Sequence, residues 1–235
     1  MTGARAGSSG PAAPRPAGGH SYAGPPPLLV LPILLGLVLL VGCAAPTGTA
    51  DNPADVVINH GDRGAFLGTE ADFAKPAVTL TDTDGEPFDL ATDTTAPVTL
   101  IFFGYTNCPD VCSIVLREMA AALNKLEDAT RQRIQVVFIT TDPERDTAEA
   151  ITTYLDMFNF ASYVGLTGPI STIEKAAVPL QVEFYREDED GKPGGPYEVA
   201  HGAHVIGFGE DGQSVLWTQG TAVLDLAHDF ALLAA

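Results

Sequence analysis

The stretch FFGYTNCPDVCSIVL, Phe102 to Leu116, sets two cysteines four residues apart where an apolar run passes into a helix-like pattern. Upstream, PVTLIFFGYT (Pro97 to Thr106) is nearly continuous in apolar and β-branched residues, the pattern of a central strand covered on both faces. Downstream, Leu116, Met119, Leu123 and Leu126 recur at helical spacing. The cysteines therefore sit at a strand-to-helix junction, with Cys108 at the strand's C-terminal end and Cys112 in the first helical turn. There, unpaired backbone N–H groups and the helix dipole favour a thiolate over a thiol.

Two side chains four residues apart on a helix lie about 5–6 Å apart, wider than the roughly 3.5–4.5 Å between the Cβ atoms of a disulfide. Pro109 cannot continue a regular helix backwards, so Cys108 belongs to the loop and can swing towards Cys112. The pair can then close as a reversible disulfide or hold one soft metal ion between its sulfurs. A purely structural staple fits poorly, because cross-linking so short a loop removes little entropy from the unfolded chain. The spacing leaves the redox couple and the metal site both open.

The N-terminus supplies the compartment. Residues 1–27 are rich in Gly, Ala, Pro and Ser, with Arg5 and Arg15 as the only formal cations, a composition that cannot bury enough apolar surface to order itself. The apolar run from Leu28 to Val41 that follows has the length of a signal-peptide core and is short for a membrane-spanning helix of about 20 residues. It ends Leu40-Val41-Gly42-Cys43, and small residues before a cysteine resemble the lipobox of bacterial lipoproteins, in which that cysteine is lipidated and becomes the mature N-terminus. The expectation is a signal peptide over residues 1–42, removed together with His20, and a lipid anchor on Cys43 that holds the protein on the extracytoplasmic face of the cell membrane. A retained apolar anchor exports the domain equally. Export places thiols in an oxidising compartment, where only Cys108 and Cys112 remain once Cys43 is modified.

Two of the 12 basic residues and none of the 30 acidic ones precede Cys43, so the chain from there onward carries about −20. That balance argues against nucleic acid or an anionic membrane surface as a binding partner. Residues 43–72, rich in Pro, Gly, Asp and Asn without periodicity, read as a flexible tether. Residues 73–235 suffice for one domain with a sizeable core, and no internal repeat is apparent.

Within that domain, AVTLTDTDGEPFDL has apolar residues on both sides of Asp84-Gly85, a hairpin signal. IQVVFIT (Ile134 to Thr140) is a second buried strand, while Thr147 to Phe158 and Ile170 to Ala177 read as helices. HVIGF and SVLW flank a Glu210-Asp211-Gly212 turn as a further hairpin, and Ala222 to Leu233 closes the chain as a helix. The order predicts an α/β domain with a mixed central sheet, helices on both faces and an N-terminal hairpin, compatible with a thioredoxin-like fold.

Three motifs in sequence order carry a specific resemblance. FGYTNCPDVC (Phe103 to Cys112), TTDPERDT (Thr140 to Thr147) and VAHGAHVIGFGEDG (Val199 to Gly212) are similar to segments of the Sco/SenC copper chaperones, which assist assembly of the dinuclear copper site of cytochrome c oxidase. The resemblance extends from about Phe73 onward. Ser113 stands where proline is usual, and Ala200 where an aspartate usually precedes the ligand histidine. The resemblance implies that Cys108, Cys112 and His201 form a copper site for Cu(I) or Cu(II), and that the partner is an apo cytochrome c oxidase subunit carrying the dinuclear copper site. The donor chemistry agrees, since two thiolates and an imidazole are a soft set suited to Cu(I) and able to hold Cu(II). Zinc accepts the same atoms but normally asks for a fourth ligand.

Two functions follow, a membrane-tethered copper chaperone and a thiol-disulfide oxidoreductase whose reduced cysteines attack an acceptor disulfide. A coordinating histidine separates them, because only the copper site needs one. A peroxiredoxin-like peroxidase fits less well, because the chain has a close cysteine pair and not a single peroxidatic cysteine. His201, in a segment loosened by Gly202, is the expected ligand, whereas His204 opens an apolar β-branched run and is expected to pack in a strand. His60 falls in the tether and His228 on an amphipathic helix. Asp146 is expected to cap the helix starting at Thr147, and Trp217 and the Phe and Tyr residues are expected in the core.

Overall fold

Leu100 and Phe102 in the central strand join one apolar cluster, Ile101 and Phe103 a second, and all four are fully buried. A strand with this alternation needs cover on both faces, and the architecture provides it. The computed structural model describes residues 64–188 and 197–235. In chain order the elements are β1 (Thr69–Ala71), β2 (Thr79–Asp82), β3 (Pro87–Asp89), β4 (Val98–Gly104), α1 (Val111–Leu123), α2 (Asp128–Arg131), β5 (Ile134–Thr140), α3 (Ala148–Asp156), β6 (Tyr163–Thr167), α4 (Ile170–Ala177), β7 (Phe184–Asp188), β8 (Tyr197–His201), β9 (Val205–Phe208), β10 (Ser214–Trp217) and α5 (Val223–Leu233). A 3-10 turn, Val178–Leu180, follows α4.

The main sheet runs β1-β10-β9-β4-β5-β6-β2-β3, while β7 and β8 pair separately. β4, β5 and β6 are parallel, and the flanking strands pair antiparallel. On one face Val115, Leu116 and Met119 of α1, Ile151 and Leu155 of α3, and Leu226 and Phe230 of α5 pack on Leu100, Phe102, Val136 and Phe138. On the other, Ile173 and Ala176 of α4 pack on Ile101, Phe103, Val137 and Ile139. Parallel strands joined through helices end at the same edge of the sheet, so the loops after β4 and β5 lie side by side.

The expected hairpin forms around Gly85, which adopts φ +88, with the Asp82 carboxylate accepting from the N–H groups of Asp84 and Glu86 at 2.9 Å each. The domain begins earlier than its expected boundary at residue 73, because Thr69–Ala71, read as tether, pairs with β10. The segment before it is fixed by the fully buried Asp229 of α5. Its carboxyl oxygens accept from Leu67 N at 2.9 Å, Gly68 N at 2.7 Å and the Trp217 indole N–H at 2.7 Å, so its buried polar atoms are hydrogen-bonded.

Three further strands were not evident from periodicity. β6 carries Gly165 in its interior, and a Cβ there would lie 2.4 Å from Ile151 Cγ2, so close packing of α3 dictates a residue that weakens the strand pattern. β7 is rich in charged residues, and it pairs only with β8, apart from the main sheet. Trp217 is in the core as expected, whereas Tyr185 is 61 % exposed. Among the described residues no helix is long and apolar enough to cross a membrane. The expected signal peptide, Cys43 and His60 lie outside the described residues.

Candidate metal centre

The cysteine loop is built from the end of β4 into the start of α1. Asp110 is the N-cap, its carboxylate accepting from Val111 N, and this starts the helix one residue before Cys112. The Cys112 N–H, unpaired within the helix, donates to Cys108 Sγ at 3.4 Å, so an orphan donor of the first turn falls on the loop sulfur. Cys112 is buried and Cys108 half-buried; both are free thiols. Gly104, at the end of β4, leaves room for the buried sulfur, because a Cβ there would lie 3.0 Å from Cys112 Sγ and 2.9 Å from Phe102.

His201 arrives from the other side as the last residue of β8. Its Nε2 lies 3.1 Å from Cys112 Sγ and its Nδ1 3.1 Å from the Gly202 carbonyl oxygen. A carbonyl only accepts, so Nδ1 carries a hydrogen and Nε2 is the ring nitrogen that faces the cysteines. Phe102 and Tyr105 meet the imidazole edge-on, with centroids 6.1 and 5.8 Å away. Ala200 pairs with Tyr185 across the hairpin, and alternation along the strand sends its side chain to the face opposite His201. The ring is oriented by the Gly202 carbonyl and needs no carboxylate at position 200.

The ligating atoms of Cys108, Cys112 and His201 all lie within 4.8 Å of one another, a group that could hold a metal ion. His204 stands apart from it, immediately before β9, with Nε2 3.5 Å from the Leu180 carbonyl oxygen. Burial lowers its pKa and keeps it neutral. His228, on α5, has Nε2 3.3 Å from the Ala65 carbonyl oxygen, away from the cysteines.

The two thiols are unequal. A hydrogen bond from Cys112 pulls the Cys108 pKa down to about 4 against the opposing effect of burial, with further help from His201 and from the backbone N–H of Cys112. Cys112 is pushed up, first by the same hydrogen bond, in which it keeps the proton, and then by burial. The pair therefore holds one proton and one negative charge near neutral pH, and a bound cation takes that proton's place. Alkylation of the reduced, metal-free protein by iodoacetamide is expected at Cys108 alone, with a rate nearly flat between about pH 6 and pH 8. An ordinary thiol, with a pKa of about 8.5, accelerates nearly tenfold per pH unit over most of that range. A rate that climbs in that ordinary way would refute the thiolate assignment.

Asp146 departs from expectation. Thr147 is the N-cap of α3, its hydroxyl accepting from Ala150 N at 3.2 Å. Asp146 instead turns inward and accepts from Thr106 N at 3.0 Å, Thr106 Oγ1 at 2.6 Å and Thr140 Oγ1 at 2.6 Å. Burial raises its pKa while those three donors oppose the shift. A carboxylate with three inward donors is better satisfied there than at an exposed cap, and the bonds tie the loop before Cys108 to the end of β5. Sequence reasoning gave Arg145 no role beyond the TTDPERDT motif and placed Tyr197 with the core; the two meet across the fold, with Arg145 Nη1 donating to the Tyr197 carbonyl oxygen at 3.0 Å.

Fold and site together define a class: a thioredoxin-like domain with a Cys-Cys-His group at the C-terminal edge of its parallel strands. The chain belongs to the SCO1/SenC family, whose model matches residues 68–227. It is 32% identical over 176 residues to a Stutzerimonas stutzeri protein named for copper binding, a match covering 75% of this chain and 81% of that one. It spans less than half the length of the mitochondrial SCO relatives it matches. Among solved structures, apo Sco1 from Thermus thermophilus is 31% identical, with a TM-score of 0.61 over 71% of this chain and 95% of that one. The copper-bound ScoI of Arabidopsis thaliana is 26% identical, with a TM-score of 0.57 over 70% of this chain and 96% of that one.

Proposed function

We propose that this chain is a membrane-tethered copper carrier. It holds its cargo ion on Cys108, Cys112 and His201 and delivers it to, or uses it to prepare, the dinuclear copper site of an apo cytochrome c oxidase subunit. The observation that carries this reading is the convergence of two sulfurs and one imidazole nitrogen within 4.8 Å, a soft donor set matched to copper. The copper-bound relative with the same fold supports it. Cys108 is half-buried and Cys112 fully buried, so an incoming acceptor ligand reaches the Cys108 side first and the ion leaves by stepwise ligand exchange. Metal analysis of the reduced domain tests the reading: a tight equimolar copper complex is expected, and sub-stoichiometric, weakly held copper contradicts it.

The Leu-Val-Gly-Cys end of the apolar run supports a lipid on Cys43 at the extracytoplasmic face, with residues 1–42 removed, the segment after Cys43 as the tether and the domain that includes Thr69–Ala71 carrying the chemistry. Mass spectrometry of membrane fractions decides it, and an intact leader or an unmodified Cys43 refutes it.

A second reading, thiol-disulfide exchange, is favoured by the inequality of the two thiols. The partly exposed Cys108 thiolate attacks an acceptor disulfide and expels one acceptor thiolate, which takes up a proton. Cys112, giving up its proton, then displaces the second acceptor sulfur from Cys108. The acceptor gains two electrons and the pair ends as a disulfide. A reduction potential measured on the same sample tells whether the pair is reducing enough for this role.

A further inference from the structure

Among the described residues, the hairpin that carries His201 makes no ladder hydrogen bonds to the main sheet. Phe184 and Val199 touch the core and the Val199 backbone bonds Tyr105, while a larger polar cluster holds the hairpin at Tyr197, the opposite end of β8 from His201. The Tyr197 ring is stacked between two guanidinium groups, Arg145 at 3.8 Å and Arg186 at 3.6 Å from its centroid. Its hydroxyl donates to Asp142 Oδ1 at 2.8 Å. Arg145 also pairs with Asp142 and donates to the Tyr197 carbonyl oxygen at 3.0 Å. On the outer side, Arg186 reaches Glu144 at 3.3 Å and Asp188 at 2.7 Å. Asp142, Glu144 and Arg145 belong to the loop after β5 whose Asp146 holds Thr106, two residues before Cys108. One loop therefore grips both halves of the Cys-Cys-His group.

Building on the proposed copper site, we infer that Asp142, Arg145 and Tyr197 form a positioning clasp that sets where His201 stands relative to the cysteines, and thereby how well the protein holds Cu(II). Tyr197, Val199 and His201 alternate along β8 and so share a face. Four residues of strand span about 13 Å, so a tilt of about 5° at the clasp displaces the imidazole by about 1 Å, enough to break a contact of 3.1 Å. Cu(I) is held by two thiolates without the histidine; Cu(II) asks for the nitrogen. Loosening the clasp therefore acts on one oxidation state more than the other. Groups outside the ligand set that orient a ligand are typically worth 10–100-fold in metal affinity.

The test is a chelator-competition titration of Cu(I) and Cu(II) on the wild type, Tyr197→Leu and Arg145→Gln, each alone and with His201→Ala, alongside electron paramagnetic resonance of the Cu(II) forms. Arg145→Gln leaves the ring and its hydroxyl bond in place and serves if circular dichroism shows Tyr197→Leu unfolded. Tyr197→Leu is expected to weaken Cu(II) about tenfold, to change Cu(I) by less than about threefold, and to alter the nitrogen hyperfine pattern. In the His201→Ala background neither clasp variant is expected to weaken Cu(II) further, because the clasp acts through His201. Wild-type Cu(II) affinity and spectra in both clasp variants, or an equal loss with and without His201, overturn the clasp while leaving the copper site standing. If His201→Ala itself leaves Cu(II) binding unchanged, the copper-site reading falls and this inference with it.

Discussion

Serine at Cys108 or at Cys112 is expected to abolish equimolar Cu(I) binding and the redox couple together. Both sulfurs serve both chemistries, and among the described residues no third cysteine can replace either. The affinity loss is expected to exceed about 100-fold, the upper range for changes outside the ligand set, because a soft ligand is exchanged for a neutral hydroxyl that a Cu(I) ion holds poorly. The fold is expected to survive. Cys108 is a loop residue, and serine at Cys112 leaves an oxygen that can still meet His201 Nε2, now 3.1 Å from the sulfur. Circular dichroism close to wild type beside a lost copper stoichiometry is the expected result. Wild-type copper affinity in either single variant would show that the two cysteines do not share one site.

His201→Ala is expected to weaken Cu(II) sharply and Cu(I) less, whereas His204→Ala is expected to leave both close to wild type. The separation has a geometric basis. His201 Nε2 faces the buried sulfur, while His204 lies half-buried beside the Leu180 carbonyl and is kept neutral by burial. His204 is not inert towards structure: a Cβ at Gly202 would lie 3.2 Å from its ring, so removing the imidazole leaves space beside the His201 strand end. A modest stability loss without loss of Cu(II) is the expected signature. If His204→Ala loses Cu(II) and His201→Ala retains it, the ligand assignment is reversed.

Much of this arrangement is legible in the sequence. The run from Val98 to Gly104 announces a strand covered on both faces because every residue in it is apolar, β-branched or small, and each one is buried. Ile134–Thr140 and Ile170–Ala177 are legible for the same reason, a strong period carried by buried side chains. The cysteine pair is visible because proline and a capping aspartate mark the turn into α1. What escapes is whatever depends on partners remote in sequence. Asp146 reads as a cap from its neighbours, yet its donors Thr106 and Thr140 come from the loop after β4 and the end of β5. Tyr197 reads as core, yet it lies between arginines 52 and 11 residues away in number. β7 and β8 are hidden because β7 is exposed and charged beyond Phe184 and Tyr185 and β8 buries only Val199, so neither carries a long apolar alternation. His201 is found through the motif resemblance and the loosening by Gly202, while the carbonyl that orients its ring emerges only in three dimensions.

X-ray absorption at the copper edge, on Cu(I)-loaded and Cu(II)-loaded protein with His201→Ala beside the wild type, tests the central claim most directly, because it identifies the atoms bound to the ion. Two sulfur ligands and one imidazole are predicted in the wild-type Cu(II) form, with the imidazole signature gone in His201→Ala and the sulfurs retained. Copper bound by nitrogen and oxygen alone, or an imidazole contribution that persists in His201→Ala, would contradict a site built from Cys108, Cys112 and His201.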